Sequence, residues 1–327
     1  MTDFRFHVVS ITAIFLALAV GVVLGSGPMR TAFVGELAQE VDILEEQLAQ
    51  AQADIEFERA QAAIGEQFVD EASSALTGGT LDGATVAIVA ILDADPADVE
   101  AQRVRLVQAG ATVAATVVLS EGWTDPDQGA FRAALASQIA ANVVDVDGAS
   151  APDRLLAHAL AQALMPDLAL DSEVEDPSVL DPGLPGTETA TDRSAVLVDL
   201  LRQADLLAGT VTSSVDGVVF VSGPGPSDDD RRARFADVFA QMSGVIEEYG
   251  AAVVVASGPE NAGDVPEAIR NSANVSARVS SVSFGLSTYG RFSVVLALAE
   301  QYAGGYGHYG PGERRDFVPE RVVTQEP

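Results

Sequence analysis

The first pattern along the chain is an uncharged apolar run over residues 8–27, which reads VVSITAIFLALAVGVVLGSG. At about 1.5 Å of rise per residue, a helix of this length spans about 30 Å, the thickness of a hydrocarbon core. The alternative is a cleaved signal peptide, whose apolar core is usually shorter, at about 7–15 residues. We therefore predict a transmembrane helix over residues 8–28.

The charges beside this run indicate its orientation only weakly. Arg5 precedes the run and Arg30 follows it, so the positive-inside rule is almost neutral. A span this close to the N-terminus leads the chain outward more easily when its short tail stays inside. We expect a single-pass protein of the cell membrane, with residues 1–7 in the cytoplasm and the bulk of the chain outside.

A heptad pattern follows the span, and Glu58 is the one charged residue that breaks it before Ala62. The seam consists of apolar residues three and four positions apart: Val34, Leu37, Val41, Leu44, Leu48, Ala51 and Ile55. About four heptads of this kind predict a coiled coil, here over residues 31–72. β-Branched residues at three a positions and leucine at two d positions favour a parallel homodimer. The alternative is one amphipathic helix packed on its own domain.

Residues 81–310 alternate between short apolar, β-branched runs and helical patterns. The predicted strands are 85–92, 112–119, 217–222, 251–256 and 277–284. The predicted helices are 97–109, 127–141, 153–165, 194–208, 228–249, 265–271 and 291–303. Short crossovers of this type join parallel strands. We predict an α/β outer domain with an open, mostly parallel sheet covered by helices, of the Rossmann or flavodoxin-like class.

Two segments of this region depart from the alternating pattern. Residues 167–192 are rich in acidic residues and proline and contain no basic residue, so we predict a mobile loop. Their acidic residues lack the spacing and turn glycine of a calcium-binding loop. We also expect residues 311–327 to form a flexible tail.

The composition narrows the possible partners and chemistry. The net charge is −30, and the chain contains neither lysine nor cysteine. A strongly negative protein repels nucleic acid, so we expect no nucleic-acid partner. Without cysteine, the fold uses no disulfide, thiolate metal site or cysteine nucleophile.

Two glycine-rich turns follow predicted strands, where ligands bind in sheets of this class. They read SGPGPSDDD from Ser222 and SGPENAG from Ser257. Neither completes the dinucleotide fingerprint GxGxxG, and the three aspartates of the first turn would repel a phosphate. Those aspartates are better suited to the positive end of the following helix. A small-ligand site at Gly223–Pro226 or Ser257–Pro259 is a weaker hypothesis.

The histidines offer few ligands for catalysis or metal binding. We expect His158 to lie on an exposed polar helix face with Arg154 and Gln162. His308 lies in the segment GGYGHYG, whose glycines are typical of a helix stop and whose tyrosines can hold the tail to the domain. His308 is our candidate metal ligand, although soft metal ions prefer sulfur ligands and the methionines are scattered. No Ser-His-Asp set can be assembled, so we do not expect an enzyme.

Two terminal motifs resemble the mycobacterial copper transport protein B (MctB-like) family of actinobacterial envelope proteins. The first is HVVS followed by FLALAVGVVLGSG from Phe15, and the second is GGYGHYG from Gly304. The resemblance implies copper as the transported ion, a role in copper homeostasis or efflux, and a pore-forming envelope component. It also implies an alternative, because a related branch is associated with cell separation at the septum through a coiled-coil protein partner.

Overall fold

The computed structural model describes residues 3–26, 29–144, 146, 150–166, 190–259, 263–312 and 315–319. The chain divides into two compact units, Met1–Gly65 and Glu66–Pro327. Most of the predicted acidic loop, residues 167–189, lies outside the described residues. Its last three residues are helical, because a helix begins at Ala190, four residues earlier than predicted.

The first unit is helical throughout its described residues. Helix α1 spans Asp3–Ser26, and helix α2 spans Met29–Thr77 and continues into the second unit. Within α1, the segment Phe6–Val23 has a mean hydropathy of 2.4 and is entirely unburied. By length and composition, it is the one described helix able to cross a membrane. The residues predicted to form the transmembrane helix and the coiled coil are therefore helical, apart from residues 27–28, which lie outside the described set; membrane insertion and pairing of the second helix stay predictions.

Among its described residues, the second unit contains a seven-stranded sheet and seven further α-helices. The strands are β1 Thr85–Ile91, β2 Thr112–Leu119, β3 Leu207–Val211, β4 Gly217–Ser222, β5 Ala252–Ser257, β6 Ser280–Val282 and β7 His308–Tyr309. The helices are α3 Pro96–Gln108, α4 Gly129–Ile139, α5 Pro152–Leu164, α6 Ala190–Gln203, α7 Asp229–Glu247, α8 Val265–Asn271 and α9 Thr288–Tyr302.

The strand order is β3-β2-β1-β4-β5-β6-β7, and every neighbouring pair is parallel except β2 with β3. The five strands β2-β1-β4-β5-β6 follow the flavodoxin-like order. The predicted α/β class with a mostly parallel sheet is thus confirmed. The two edge strands, β3 and β7, were not predicted. The helix predicted through residue 208 ends at Gln203 because Asp205 has φ +56° and turns the chain into β3.

The sheet separates two hydrophobic layers. Along β4, Val218 and Phe220 face the layer formed with α4 to α8, whereas Val219 and Val221 face the layer formed with α3 and α9. Successive side chains of a strand point to opposite faces, so a strand covered on both sides is apolar at every position. This double burial explains why β1, β4 and β5 appear as uninterrupted apolar runs.

The end of α2 packs against α3 within the second unit. Arg105 of α3 forms an ion pair with Asp70, and its Nη1 donates to Ser73 Oγ at 3.2 Å and to Gln108 Oε1 at 3.1 Å. The side chain of Arg105 is only 11% exposed. Burial, with a smaller contribution from Arg291, lowers the pKa of Arg105 from its ordinary value. These contacts fix the last turns of α2 to the α/β domain.

The glycine-rich segment after α9 ends that helix, as predicted. Gly304 adopts φ +82° directly after the C-cap residue Ala303, a conformation typical of a helix stop. Tyr309 is buried, and its hydroxyl donates to Glu300, so this tyrosine holds the segment to α9. Tyr306 is 51% exposed and does not serve the same purpose. Ser293 Oγ also donates to the carbonyl of Phe317 at 2.9 Å, within the predicted tail.

Candidate functional site

The chain reverses its direction of strand addition between β1 and β4, and sheets of this type bind ligands outside the carboxyl ends of the strands at such a point. The structure has a cleft of about 600 Å³ at this edge. We call it the carboxyl-edge cleft. Its lining comprises Asp93, Asp95, Asp98, Ser222, Gly223, Pro224, Ser257, Gly258, Pro259, Asp264, Phe284, Leu286 and Ser287.

Two Ser-Gly-Pro turns form one wall of this cleft. Ser222 ends β4 and Ser257 ends β5, and the two residues are register partners across the paired strands. Both serines are almost fully buried, at 2% and 3% exposure. Along the sequence, the two turns are separate weak candidates. The parallel register of β4 and β5 brings them together, and their shared Ser-Gly-Pro pattern was the available signal.

The backbone around the cleft is tightly constrained. Leu92 and Asp93 at the end of β1 have φ +52° and +55°, and Phe284 after β6 has φ +59°. Positive φ is uncommon for residues other than glycine and costs energy that the surrounding structure must supply. Gly223 donates its N–H to the carbonyl of Ile91 at 2.9 Å, so the loops after β1 and β4 lie in direct contact.

The helix N-termini near this edge are already occupied by side chains of the chain itself. Asp95 caps α3, Asp228 caps α7, and Asp264 caps α8 through backbone N–H groups at 2.8 Å. Ser287 caps α9 in the same way. These carboxylates lie where a phosphate would bind a helix N-terminus. The prediction that the aspartates after SGPGPS suit the following helix is confirmed, and the arrangement disfavours a nucleotide.

His308 lies on β7 and is not part of the carboxyl-edge cleft. Its Nε2 lies 3.1 Å from the carbonyl oxygen of Ser276, and its Nδ1 lies 2.9 Å from the hydroxyl of Ser281. Because a carbonyl only accepts, Nε2 carries the proton, and Nδ1 of the neutral ring accepts from Ser281. Burial is the main cause that lowers the pKa of His308. The positive charges of Arg270 and Arg315 lower this pKa further, whereas the hydrogen bond to the carbonyl of Ser276 opposes the shift.

A metal ion at His308 would have to replace the Ser281 hydroxyl at Nδ1. Across the described residues, no group of three or more His, Cys, Asp or Glu side chains could hold a metal ion. The arrangement gives His308 a structural role between β6 and β7. Its candidacy as a metal ligand remains a prediction.

The expectation that His158 is exposed is wrong. His158 is 8% exposed, and its Nδ1 lies 3.0 Å from the hydroxyl of Tyr249. Gln162 Nε2 donates to the same hydroxyl at 2.9 Å and to the carbonyl of Val144 at 2.7 Å. Burial and the positive charge of Arg154 lower the pKa of His158, partly offset by Glu248. Within this polar face, His158 and Gln162 pack inward because Tyr249 satisfies their hydrogen-bonding groups, whereas Arg154 is exposed.

The predicted dimer seam can be followed along the described part of α2. Side-chain environments of Val34 and Leu37 lie outside the described residues. Farther along, Val41 is 47% exposed, Leu48 60% and Ile55 50%. Leu44 and Ala51 are exposed as well.

An apolar N-terminal helix, a long second helix and a mostly parallel α/β sheet together define a membrane-associated α/β protein. The chain belongs to the MctB family, whose family model, described as "Copper transport outer membrane protein, MctB", matches residues 1–319. This match confirms the resemblance inferred from the two terminal motifs.

Curated relatives carry the same family name. The chain is 28% identical over 327 residues to "Copper transporter MctB" of Mycobacterium tuberculosis, covering 95% of this chain and 97% of that protein. The protein of the same name from Mycobacterium bovis matches to the same extent. The Mycobacterium leprae protein is 27% identical over 330 residues, with the same coverage. The similarity therefore includes the N-terminal helices as well as the α/β domain.

Proposed function

We propose that this chain is a single-pass, non-enzymatic envelope protein that acts in copper homeostasis or efflux. The observation that supports this function is the family match over residues 1–319, together with relatives named copper transporters. The apolar segment Phe6–Val23 supplies the anchor. In this proposal the N-terminus is cytoplasmic, the bulk of the chain is extracytoplasmic, and copper is the cargo.

The protein acts as a homodimer formed through α2. The exposed residues of the seam support this state, because leucine, valine and isoleucine side chains stabilise a coiled coil when a partner helix removes them from water. Each buried methylene contributes about 0.8 kcal/mol, so a few seam residues per helix supply substantial association energy. An assembly of several chains is also what a single span needs before it can surround a pore.

The copper role is tested by deleting the gene and measuring copper tolerance and cellular copper content. We expect the deletion strain to tolerate less copper and to accumulate more, and the wild-type gene to restore both. Ala51→Asp, which places a charge in the seam, should fail to restore them, whereas Ala53→Asp on the opposite face should succeed. Unchanged copper tolerance and content in the deletion strain would reject the copper role.

A second candidate function is a coiled-coil scaffold at the septum or envelope that regulates cell separation through a protein partner. The exposed seam on α2 favours this function equally, since it provides an assembly surface without requiring a metal ligand. Chains of unseparated cells in the deletion strain, with normal copper content, would select this function. The same Ala51→Asp and Ala53→Asp pair then shows whether dimerisation is required.

A further inference from the structure

We propose that two dimers of this chain join through a second apolar stripe on α2 and so form a four-chain stalk. The stripe consists of Phe57, Ile64 and Phe68, whose side chains are 62%, 66% and 71% exposed. We call these three residues the second stripe. The proposal rests on dimerisation through the seam, and it adds the next surface that assembles and its partner, another dimer of the same chain.

The second stripe is separate from the dimer seam. In the heptad register of the seam, Phe57 and Ile64 occupy c positions and Phe68 occupies a g position. At about 3.5 residues per turn, the centre of the c and g positions lies about 100° around the helix from the centre of the a and d positions. A partner helix that packs on the seam therefore leaves the second stripe exposed.

The spacing of the second stripe is typical of an interface between helices. Its residues are seven and four positions apart, and Gln61 occupies the intermediate position of the same pattern. The pattern contains no charged residue between Asp54 and Glu71, which end it on either side. Side chains with this spacing share one helix face, and large apolar side chains on such a face are stabilised when a partner removes them from water.

The α/β domain of the chain covers a different side of α2. Ser73 is 3% exposed and accepts a hydrogen bond from Arg105 of α3 at 3.2 Å, whereas Phe68, five residues before Ser73, is exposed. At about 100° per residue, these two positions lie about 140° apart around the helix. The contact that fixes α2 to its own domain therefore leaves the side chain of Phe68 open to another chain.

The angle between the two apolar faces of α2 matches a stalk of four helices. In a ring of four parallel helices, each helix contacts two neighbours in directions about 90° apart. The seam and the second stripe, which lie about 100° apart, supply these two contacts. Chains anchored in one membrane in the same orientation have parallel stalks, so the second stripe of one dimer meets the same residues of another dimer. Four stalks also bring together four membrane spans.

The proposal is tested by disulfide cross-linking of the full chain in isolated membranes, because the chain contains no cysteine of its own. Ala51→Cys links the two chains of a dimer through the seam, and Gln61→Cys links chains of different dimers. The double variant Ala51→Cys, Gln61→Cys should therefore give a covalent tetramer on a non-reducing gel. The control Ala51→Cys, Ala63→Cys should give dimers only, because a b position such as Ala63 lies about 130° from both apolar faces.

A charge in the second stripe separates the two interfaces. In the Ala51→Cys, Gln61→Cys background, Ile64→Asp should abolish the tetramer and leave the dimer, because an unpaired charge in an interface is destabilising. Ala63→Asp, one residue earlier, introduces the same charge outside both faces and should leave both products unchanged.

Two results would overturn the proposal while the dimer stands. The first is a double-cysteine variant that gives dimers and no tetramer, which would mean that positions 51 and 61 face the same partner chain or that the second stripe meets a different protein. The second is a tetramer that persists in Ile64→Asp. Absence of a dimer in the single variant Ala51→Cys would reject the dimer itself and this proposal with it, so the two failures are distinguishable.

Discussion

Gly223 and Leu92 lie so close that a Cβ atom on Gly223 would fall 2.1 Å from the carbonyl oxygen of Leu92. This contact joins the loops after β1 and β4 at the base of the carboxyl-edge cleft. The loop after β1 carries two consecutive residues with positive φ, and Gly223 is the neighbour that leaves room for them. Glycine is therefore required here for close approach.

Substitution of this glycine should be costly. We expect Gly223→Ala to lower the free energy of unfolding by about 1–3 kcal/mol, because a backbone carbonyl cannot move away as a flexible side chain can. The measurement is urea unfolding followed by the fluorescence of the one tryptophan, Trp123, which is buried and donates to the carbonyl of Leu206 at 2.8 Å.

The second Ser-Gly-Pro turn provides the matched control. A Cβ on Gly258 would meet no atom within 4 Å. Gly258→Ala should therefore change the free energy of unfolding by less than about 0.5 kcal/mol. Equal losses for the two variants would contradict the assignment of Gly223 as the point of close approach.

Arg105 should be required to hold the end of α2 to the α/β domain. We expect Arg105→Gln to lower stability by about 1.5–3 kcal/mol, because it removes charged hydrogen bonds to Ser73 and Asp70. Arg103, two residues away, forms an exposed pair with Glu100 at 2.6 Å. Arg103→Gln should have no measurable effect. Limited proteolysis offers a second test, since release of α2 should expose new cleavage sites near Ser73 only in Arg105→Gln.

The two buried histidines should make the protein less stable in mild acid. Burial lowers the folded-state pKa of His158 and His308 below the unfolded value of about 6.5. The contribution of the two neutral imidazoles to the free energy of unfolding is complete above pH 6.5. It declines as the pH falls toward the folded-state pKa, because the unfolded chain binds protons more readily than the folded protein does. NMR titration of the full chain in micelles should show both imidazoles titrating below pH 6.5.

Stability measurements provide the corresponding check. The urea concentration at the midpoint of unfolding should decrease when the pH is lowered from 7.5 to 5.5. In a His158→Gln, His308→Gln double variant, this concentration should decrease less over the same pH interval. Both proteins contain the same carboxylates, so the effect of carboxylate titration on stability cancels in this comparison. The same acid sensitivity in both proteins would show that the histidines do not couple folding to pH.

The predicted dimer can be tested with single cysteines, since the chain contains none of its own. Ala51 lies at a d position of the seam, and Ala53 lies two residues on, at an f position. In a parallel dimer, Ala51→Cys should form an intermolecular disulfide under mild oxidation, because the two d positions face each other. Ala53→Cys should remain largely unlinked. Absence of cross-linking at position 51 in membranes would favour the amphipathic-helix alternative.

Hydrophobic patterning by itself determined much of this protein. The apolar run over residues 8–27 predicted helix α1. The observed bounds of the apolar strands β1, β2, β4 and β5 lie within one or two residues of the predicted bounds, because strands buried on both faces have continuous apolar sequences. The parallel arrangement followed from short crossovers, whose handedness and length leave few alternatives. Helix ends could also be predicted from the sequence where a capping residue was present, as at Asp228 and Gly304.

Only the tertiary structure decided the rest. Strand β3 is short and contains Gly209, and β7 has two residues, so both depend on pairing with a neighbour and have no pattern of their own. The environment of His158 depended on Tyr249, which is distant in sequence. The two Ser-Gly-Pro turns look unrelated along the chain. They become one cleft because β4 and β5 pair in register, and such long-range pairing is absent from local sequence.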